Sequence, residues 1–573
     1  MRFKAIKKSL FFSLFIFSGI LFAQDPIGSE TVTVVKPYTP SVSDANKIRE
    51  TPSRNDSVSL QKKEVQYSIF SVPVASTFTP AKGRATTVER ERPPKVYDNY
   101  ATLGFGNYSN VLAEFYSNLE IDRSSNFGIY LNHNSSQGGI EGVKLDDKFY
   151  DTEMNLSYNT RNRDLGWMAE VGGEHQLFNW YGLPEYNAST DEELYSLDPA
   201  QNYYSVYVGS EIELYDSFFD SAKARFRHSG DSYSTAENHF NAEGLFEIEI
   251  AEELISTKIG ADIVNGKFDR EYDSNMSYDY TFMNFNITPS LLILRDDLSI
   301  DLGVNFVYGM DAETSDGNFY IYPAISASYR LAGDYFTVYA GVDGDLQQNT
   351  YYSFFQENPY VSPTLDIMPT DNEYKGYIGG KGKFSNAVSY NLRGSYQSQF
   401  NRALFKKNYD ASTLEGEAYT YGNSFEVVYD DVKTLSFYGE LNVDVNRDFR
   451  LGINAEVFDY NTDEQAEAWN LPDLKASLNA DYQITEKWYT GANLFYVGER
   501  KDEARSISLV FDEPVVTLDS YFDANAHLGY RFNDQLSAFV KGSNLLNNNY
   551  QKWLDYDVQG IQFLAGATYK FDF

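Results

Sequence analysis

The strongest constraint on this chain is a period of two. In "TLDSYFDANAHLGYRF" (517–532), Leu518, Phe522, Ala524, Ala526, Leu528, Tyr530 and Phe532 share one side, while Asp519, Asp523, Asn525, His527 and Arg531 take the other. "LSIDLGVNFVY" sets Leu298, Ile300, Leu302, Val304, Phe306 and Tyr308 against Ser299, Asp301 and Asn305. The C-terminal "GIQFLAGATYKFDF" repeats the pattern, with Ile561, Phe563, Ala565, Ala567, Tyr569, Phe571 and Phe573 opposing Gln562, Thr568, Lys570 and Asp572. Side chains alternate faces only in an extended strand, so each segment reads as a strand with one greasy and one wet face.

The connections alternate as well. Tight polar turns fall at Asp122-Arg123-Ser124, Arg161 to Asp164, Tyr215-Asp216-Ser217, Ala251-Glu252-Glu253, Arg295-Asp296-Asp297, Ala332-Gly333-Asp334, Ser385-Asn386, Asn446-Arg447-Asp448, Thr485-Glu486-Lys487 and Asn533-Asp534. Mostly longer polar loops lie between them. Short turns on one side and long loops on the other fit an outer-membrane barrel, whose strands show lipid one face and water the other. Ten such turns with both ends of the barrel on one side imply about 22 strands. The stretch "GNSFEVVYDDVKTLSFYGEL" (422–441) reads either as one strand plus a loop hairpin or as two strands. A soluble β-sandwich or propeller also alternates, but needs neither the one-sided loop lengths nor so greasy a terminal strand.

Composition supports the membrane reading. Aromatics make up 16% of the residues, with 47 Tyr and 41 Phe but only 5 Trp, in a chain of polar average hydropathy. Tyr and Phe near strand ends suit the two lipid interfaces. The formal charge of −35 argues against a nucleic-acid partner, which needs basic surface. Cysteine is absent, which removes disulfides, thiolate metal sites and a cysteine nucleophile.

The N-terminus divides from the rest. Arg2, Lys4, Lys7 and Lys8, an apolar run from Leu10 to Phe22, and Ala23 before Gln24 read as a secretory signal peptide over 1–23. Residues 24–95 carry eight prolines and 11 basic against 8 acidic residues, a net of +3. Setting aside the four basic residues of the signal leaves −42 on residues 96–573, the expected barrel. Proline at this density blocks long helices and central strands, so 24–95 reads as an extended periplasmic segment. A short strand is expected at most around Glu64 to Ser76.

On these residues the chain resembles the TonB-dependent outer-membrane receptors. "VKGSNLLNNNY" (Val540 to Tyr550) followed by "FLAGATYKFDF" is similar to their last two strands, and "SYFDANAHLGYRF" to the strand before. The taste for Tyr, Asn and Asp is similar to Bacteroidota members. The resemblance implies a terminal signal for the outer-membrane assembly machinery, here Tyr569, Phe571 and Phe573. It also implies a periplasmic TonB-binding strand, and "ETVTV" (Glu30, Thr31, Val32, Thr33, Val34) resembles that element in type and place; β-branched residues favour an extended edge that a partner sheet can pair with. The 72 residues from Gln24 to Lys95 are too short and too proline-rich for the family's globular plug. Something else must then fill a wide lumen: the N-terminal segment, inward-folded loops, the barrel's own side chains, or another protein.

Enzymatic motifs are weak. His133, His175, His228, His239 and His527 show no zinc-ligand spacing. His133 in "LNHNSSQ" sits near serine and asparagine but reads as polar strand lining. Asp311 to Asn318 and Ser189 to Asp198 are acidic loops without EF-hand spacing. "GFGNYSN" and "GGKGK" lack the helix a phosphate loop requires. The expectation is a non-enzymatic barrel with no cofactor, serving uptake across the outer membrane. The alternative is a non-transporting scaffold or subunit of an outer-membrane or surface assembly, docked to a periplasmic partner that is TonB or another protein.

Overall fold

The computed structural model describes residues 95–573, apart from 185–188, 190, 251–252, 413–415 and 505–514. The TonB-box-like residues Glu30 to Val34 and the strand expected near Glu64 lie outside the described residues.

From Asn99 onward the chain runs up and down as one 22-stranded antiparallel sheet. The first strand, Asn99–Gly106, pairs with the last, Gln562–Phe571, in register from Asn99 opposite Phe571 to Gly106 opposite Leu564. Side chains reinforce this seam. Asn99 Nδ2 donates to the Phe571 carbonyl at 3.0 Å, and the Thr102 and Thr568 hydroxyls meet at 2.8 Å. A closed sheet leaves no edge, the condition for crossing lipid with strands.

The tight turns whose residues are all described sit at the end of the barrel that holds both sheet termini, and Ile250 pairs with Glu253 at that same end. Their polar residues close them locally. Asp122 accepts from the Ser124 amide at 2.8 Å, and Asn533 Oδ1 accepts from the amides of Gln535 and Leu536 at 2.9 and 2.8 Å. Asp216 and Asp296 take positive φ, which Asp tolerates better than most residues.

The predicted faces hold. Leu302, Val304 and Tyr308 are exposed on the outward side, as are Phe522, Leu528, Phe563 and Tyr569. Residues 425–444 form a single strand, Phe425–Asp444, so the 422–441 stretch carries neither two strands nor a hairpin. Leu518 departs from expectation. Val515–Leu518 pairs with Arg500–Glu503 in a separate hairpin, and the barrel strand begins only at Tyr521. Asp519 and Ser520 interrupt the ladder between the two, and Leu518 is buried instead of facing lipid.

Several inward tyrosines lie flat across a glycine of the next strand. A Cβ at Gly172 would run into the ring of Tyr207, and one at Gly529 into Tyr489. The ring covers the backbone that glycine leaves bare and keeps the lumen wide. Gly172→Leu is expected to lower barrel stability by ~1–3 kcal/mol through overpacking. Gly376→Ala, which enters open space, should stay within about 0.5 kcal/mol of the parent. Heat-modifiable mobility in gels, followed against temperature, distinguishes the two.

Candidate functional site

The hydrophobic core of this barrel lies where the outer connections meet. Its buried members come from the long outer loops and the outer strand ends: Leu145, Tyr181, Tyr351, Phe354, Phe355, Val361, Leu365, Ile367, Phe405, Phe425, Trp553 and Tyr556 among them. Tyr556 stacks on Tyr360 with centroids 3.7 Å apart and meets Tyr181 edge-on at 4.8 Å. Trp553 packs against Phe405 at 5.4 Å and Phe425 at 5.5 Å. Aromatic pairs of this kind add to the large area each ring buries.

A short helix, Tyr351–Glu357, anchors the 348–369 connection to the barrel wall. Thr350 starts it. Its hydroxyl accepts from the Ser353 amide at 2.9 Å, and Ser353 Oγ accepts from the Thr350 amide at 3.2 Å, a reciprocal cap. Tyr351, Phe354 and Phe355, at i, i+3 and i+4, turn one face into the core.

Three wall carboxylates hold the polar side of this helix. Glu237 accepts from the amides of Tyr351 and Tyr352 at 2.7 and 3.1 Å and from the Tyr280 hydroxyl at 2.7 Å. Asp231 accepts from the Tyr351 hydroxyl at 2.7 Å. Glu174 accepts from the Tyr352 hydroxyl at 2.9 Å and from Gln356 at 3.2 Å. The Arg227 guanidinium lies between the rings of Tyr352 and Tyr207, at 3.9 and 4.6 Å, and reaches Glu174 at 3.1 Å. Glu237 and Asp231 are almost wholly buried, so their charge is supported by these donors and not by water.

A second polar cluster ties the other loops together. Asp502 accepts from Asn470 Nδ2 at 2.8 Å and from the amides of Lys407 and Glu503 at 2.9 and 2.8 Å. Lys406 pairs with Glu503 at 3.1 Å and Glu426 at 3.3 Å. Burial pushes the Asp502 carboxyl up to about 6, against the lowering effect of Asn470 and the two amides.

Of the sequence-predicted residues, Tyr569, Phe571 and Phe573 lie together at the other end, on the last strand and just beyond it. Their rings form a column, with Tyr569 and Phe571 stacked at 5.8 Å and Phe571 meeting Phe573 edge-on at 5.3 Å. His133 bridges Thr152 and Ser135 at 2.8 and 3.0 Å, and Ser135 is buried. Asp311 is used by its own turn, accepting from the Glu313 amide at 2.9 Å and the Thr314 hydroxyl at 2.8 Å. Among the described residues, no group of three or more His, Cys, Asp or Glu side chains is placed to hold a metal ion. The helix and the Asp502 cluster were missed by pattern reading. The helix had a signal in the run "NTYYSFFQENPY", an aromatic cluster behind a capping threonine where a solvated loop should have none; the Asp502 cluster, gathered from separate connections, had none.

No protein-family model matches the chain, and no curated protein matches its sequence. Solved structures do match its fold. The ferric enterobactin receptor PfeA of Pseudomonas aeruginosa aligns with a TM-score of 0.61 at 13% identity, over 84% of this chain and 81% of that one. The fold is that of the TonB-dependent outer-membrane receptors. The siderophore receptor PirA of Acinetobacter baumannii aligns at 0.61 and 14% identity, over 83% and 81% of the two chains. The copper transporter OprC aligns at 0.60 and 12%, over 84% and 82%. The chain thus shares the barrel fold of these outer-membrane proteins, and its exposed apolar belt and trimmed end match its sequence pattern. Its long outer loops are the inward-folded segments of the mouth.

Two results are expected. Glu237→Ala leaves three donors without their acceptor and should loosen the helix by about 3 kcal/mol, read as faster protease cleavage within 348–369. For Asp502 the raised pKa belongs to the closed mouth, whose extra stability is therefore full below the ordinary carboxylate range and is lost as pH rises through about 6. The closed mouth should be tighter at pH 5 than at pH 7 by roughly 1 kcal/mol, a difference that Asp502→Asn removes in the same cleavage assay.

Proposed function

We propose that this chain is a receptor-like barrel for uptake across the outer membrane, with the inward-folded outer loops as its closed gate. One observation carries the reading. The 348–369 connection enters the barrel and binds the wall through side-chain and amide contacts to Glu174, Asp231 and Glu237, and its backbone bridges a barrel strand where Val361 pairs with Phe425 at that strand's outer end. A wide barrel closed by a segment that can leave is a gated passage.

The neighbours named above are receptors for siderophores and a copper transporter, and the fold they share supports a transport role of that general kind. On this reading residues 1–23 direct export and 24–95 form a periplasmic docking segment in place of a globular plug. Glu30, Thr31, Val32, Thr33 and Val34 add a strand to TonB or to another periplasmic protein. Tyr569, Phe571 and Phe573 serve as the signal read by the assembly machinery, and their clustering on the last strand and just beyond it supports that role.

A second reading has its own support. The mouth is cemented by a buried aromatic core, which also suits a barrel that does not conduct and serves as a subunit of a larger outer-membrane or surface assembly.

Single-channel recording of the purified barrel, with and without residues 24–95 and with the 348–369 connection shortened, separates the two. Uptake predicts conductance once the gate is shortened; silence in every form overturns it. Replacing Val32 and Val34 with proline should abolish capture by TonB, and unchanged capture removes the box assignment. Loss of Phe573 should slow membrane insertion in cells without changing the folded barrel's melting.

A further inference from the structure

The last outer connection, 544–561, reaches across the mouth to the others. Gln559 Nε2 donates to Ser136 Oγ at 2.8 Å and to the Gly138 carbonyl at 3.1 Å. The Tyr181 hydroxyl donates to the Asp557 carbonyl at 2.8 Å, and the Tyr556 hydroxyl to the Asn423 carbonyl. The Arg500 guanidinium donates to the carbonyls of Gln551 and Lys552. One short segment thus binds the 137–148, 180–199, 408–424 and 498–520 connections, and through the Tyr360 ring the 348–369 connection as well.

Lys407 sits under this crossing. Its side chain is 2% exposed, and its ammonium donates to the Gly182 and Leu554 carbonyls, both at 3.2 Å, while pairing with Asp555. A buried ammonium is tolerated only with such partners, and removing it strands two carbonyls. Its partner Asp555 is partly exposed and is hydrated as soon as it is released.

The two sets of attachments differ in kind. The crossing segment is held mainly through backbone carbonyls, each of which water can take over once solvent enters. The Tyr351–Glu357 helix is held by Glu237 and Asp231, which are buried and lose their donors before water can reach them. Opening by the second route first is therefore disfavoured.

We propose that residues 551–559 act as a strap that locks the outer mouth, that Lys407 is its lock, and that the strap must release before the Tyr351–Glu357 helix can leave. The proposal deepens the gate reading above and rests on it for its consequence, while its own test needs no substrate.

The test is protease cleavage of the full-length protein in proteoliposomes, mapped by mass spectrometry. Lys407→Met should raise cleavage about tenfold in both 544–561 and 348–369. Glu237→Ala should raise it in 348–369 alone. Because Lys407→Met could misfold, a second variant carries Lys407→Cys with Asp555→Cys in this otherwise cysteine-free chain. Bridged by a short bis-maleimide it should be protected at both segments, and unbridged it should be cleaved at both. Cleavage confined to 544–561 in Lys407→Met, or equal cleavage with and without the bridge, overturns the strap. Failure of uptake with the bridge-dependent pattern intact overturns the uptake reading and leaves the strap standing.

Discussion

Between Asn99–Gly106 and Gln562–Phe571 the sheet meets itself, and the last unpaired row of amides and carbonyls disappears. In hydrocarbon there is no water to satisfy such a row, so a spanning sheet is stable only when closed. The rest of the molecule follows from that closure. Lipid faces one side of every strand, which is why Leu302, Val304, Phe563 and Tyr569 point outward into what would be solvent for a soluble protein. The other side encloses a lumen, and a sheet of 22 strands encloses a wide one.

That width creates the second problem, and the outer loops answer it. A soluble domain packs two layers against each other; a barrel has only one layer and must import its core. Here the core is assembled from loop residues such as Trp553, Tyr556, Tyr360 and Phe355, contributed by segments distant in sequence. Each ring buries a large apolar area, and the Tyr556 hydroxyl finds an acceptor on the Asn423 carbonyl. Aromatic residues therefore do two jobs in this chain: outward they face lipid, and inward they hold the mouth.

Charge is distributed to match. The wall that faces the helix carries Glu174, Asp231 and Glu237, and the helix offers them amides, tyrosine hydroxyls and a glutamine. Apolar packing and these charge-assisted bonds are complementary, since the first excludes the water that would weaken the second. A mouth closed in this way is specific in geometry yet carries no bond that cannot be undone.

Much of this was legible in the sequence. The alternation of Leu298 to Tyr308, the ten tight turns and the aromatic terminal strand are local properties, because strand faces and turns depend on neighbours a few residues away. They determined the fold class, the strand number and which side chains meet lipid. Leu518 shows where locality ends: its alternation with Phe522 was real as a pattern, but Arg500–Glu503 offered a better partner strand. What occupies the lumen could not be read at all from local pattern. That Lys407 lies beneath Leu554, or that Glu237 caps a helix more than a hundred residues later, depends on closing the barrel and bringing loops from opposite sides into one mouth. The sequence by itself determined a lipid-facing barrel, because period two needs only adjacent residues; the tertiary structure alone decided how it is shut, because that depends on contacts across the ring.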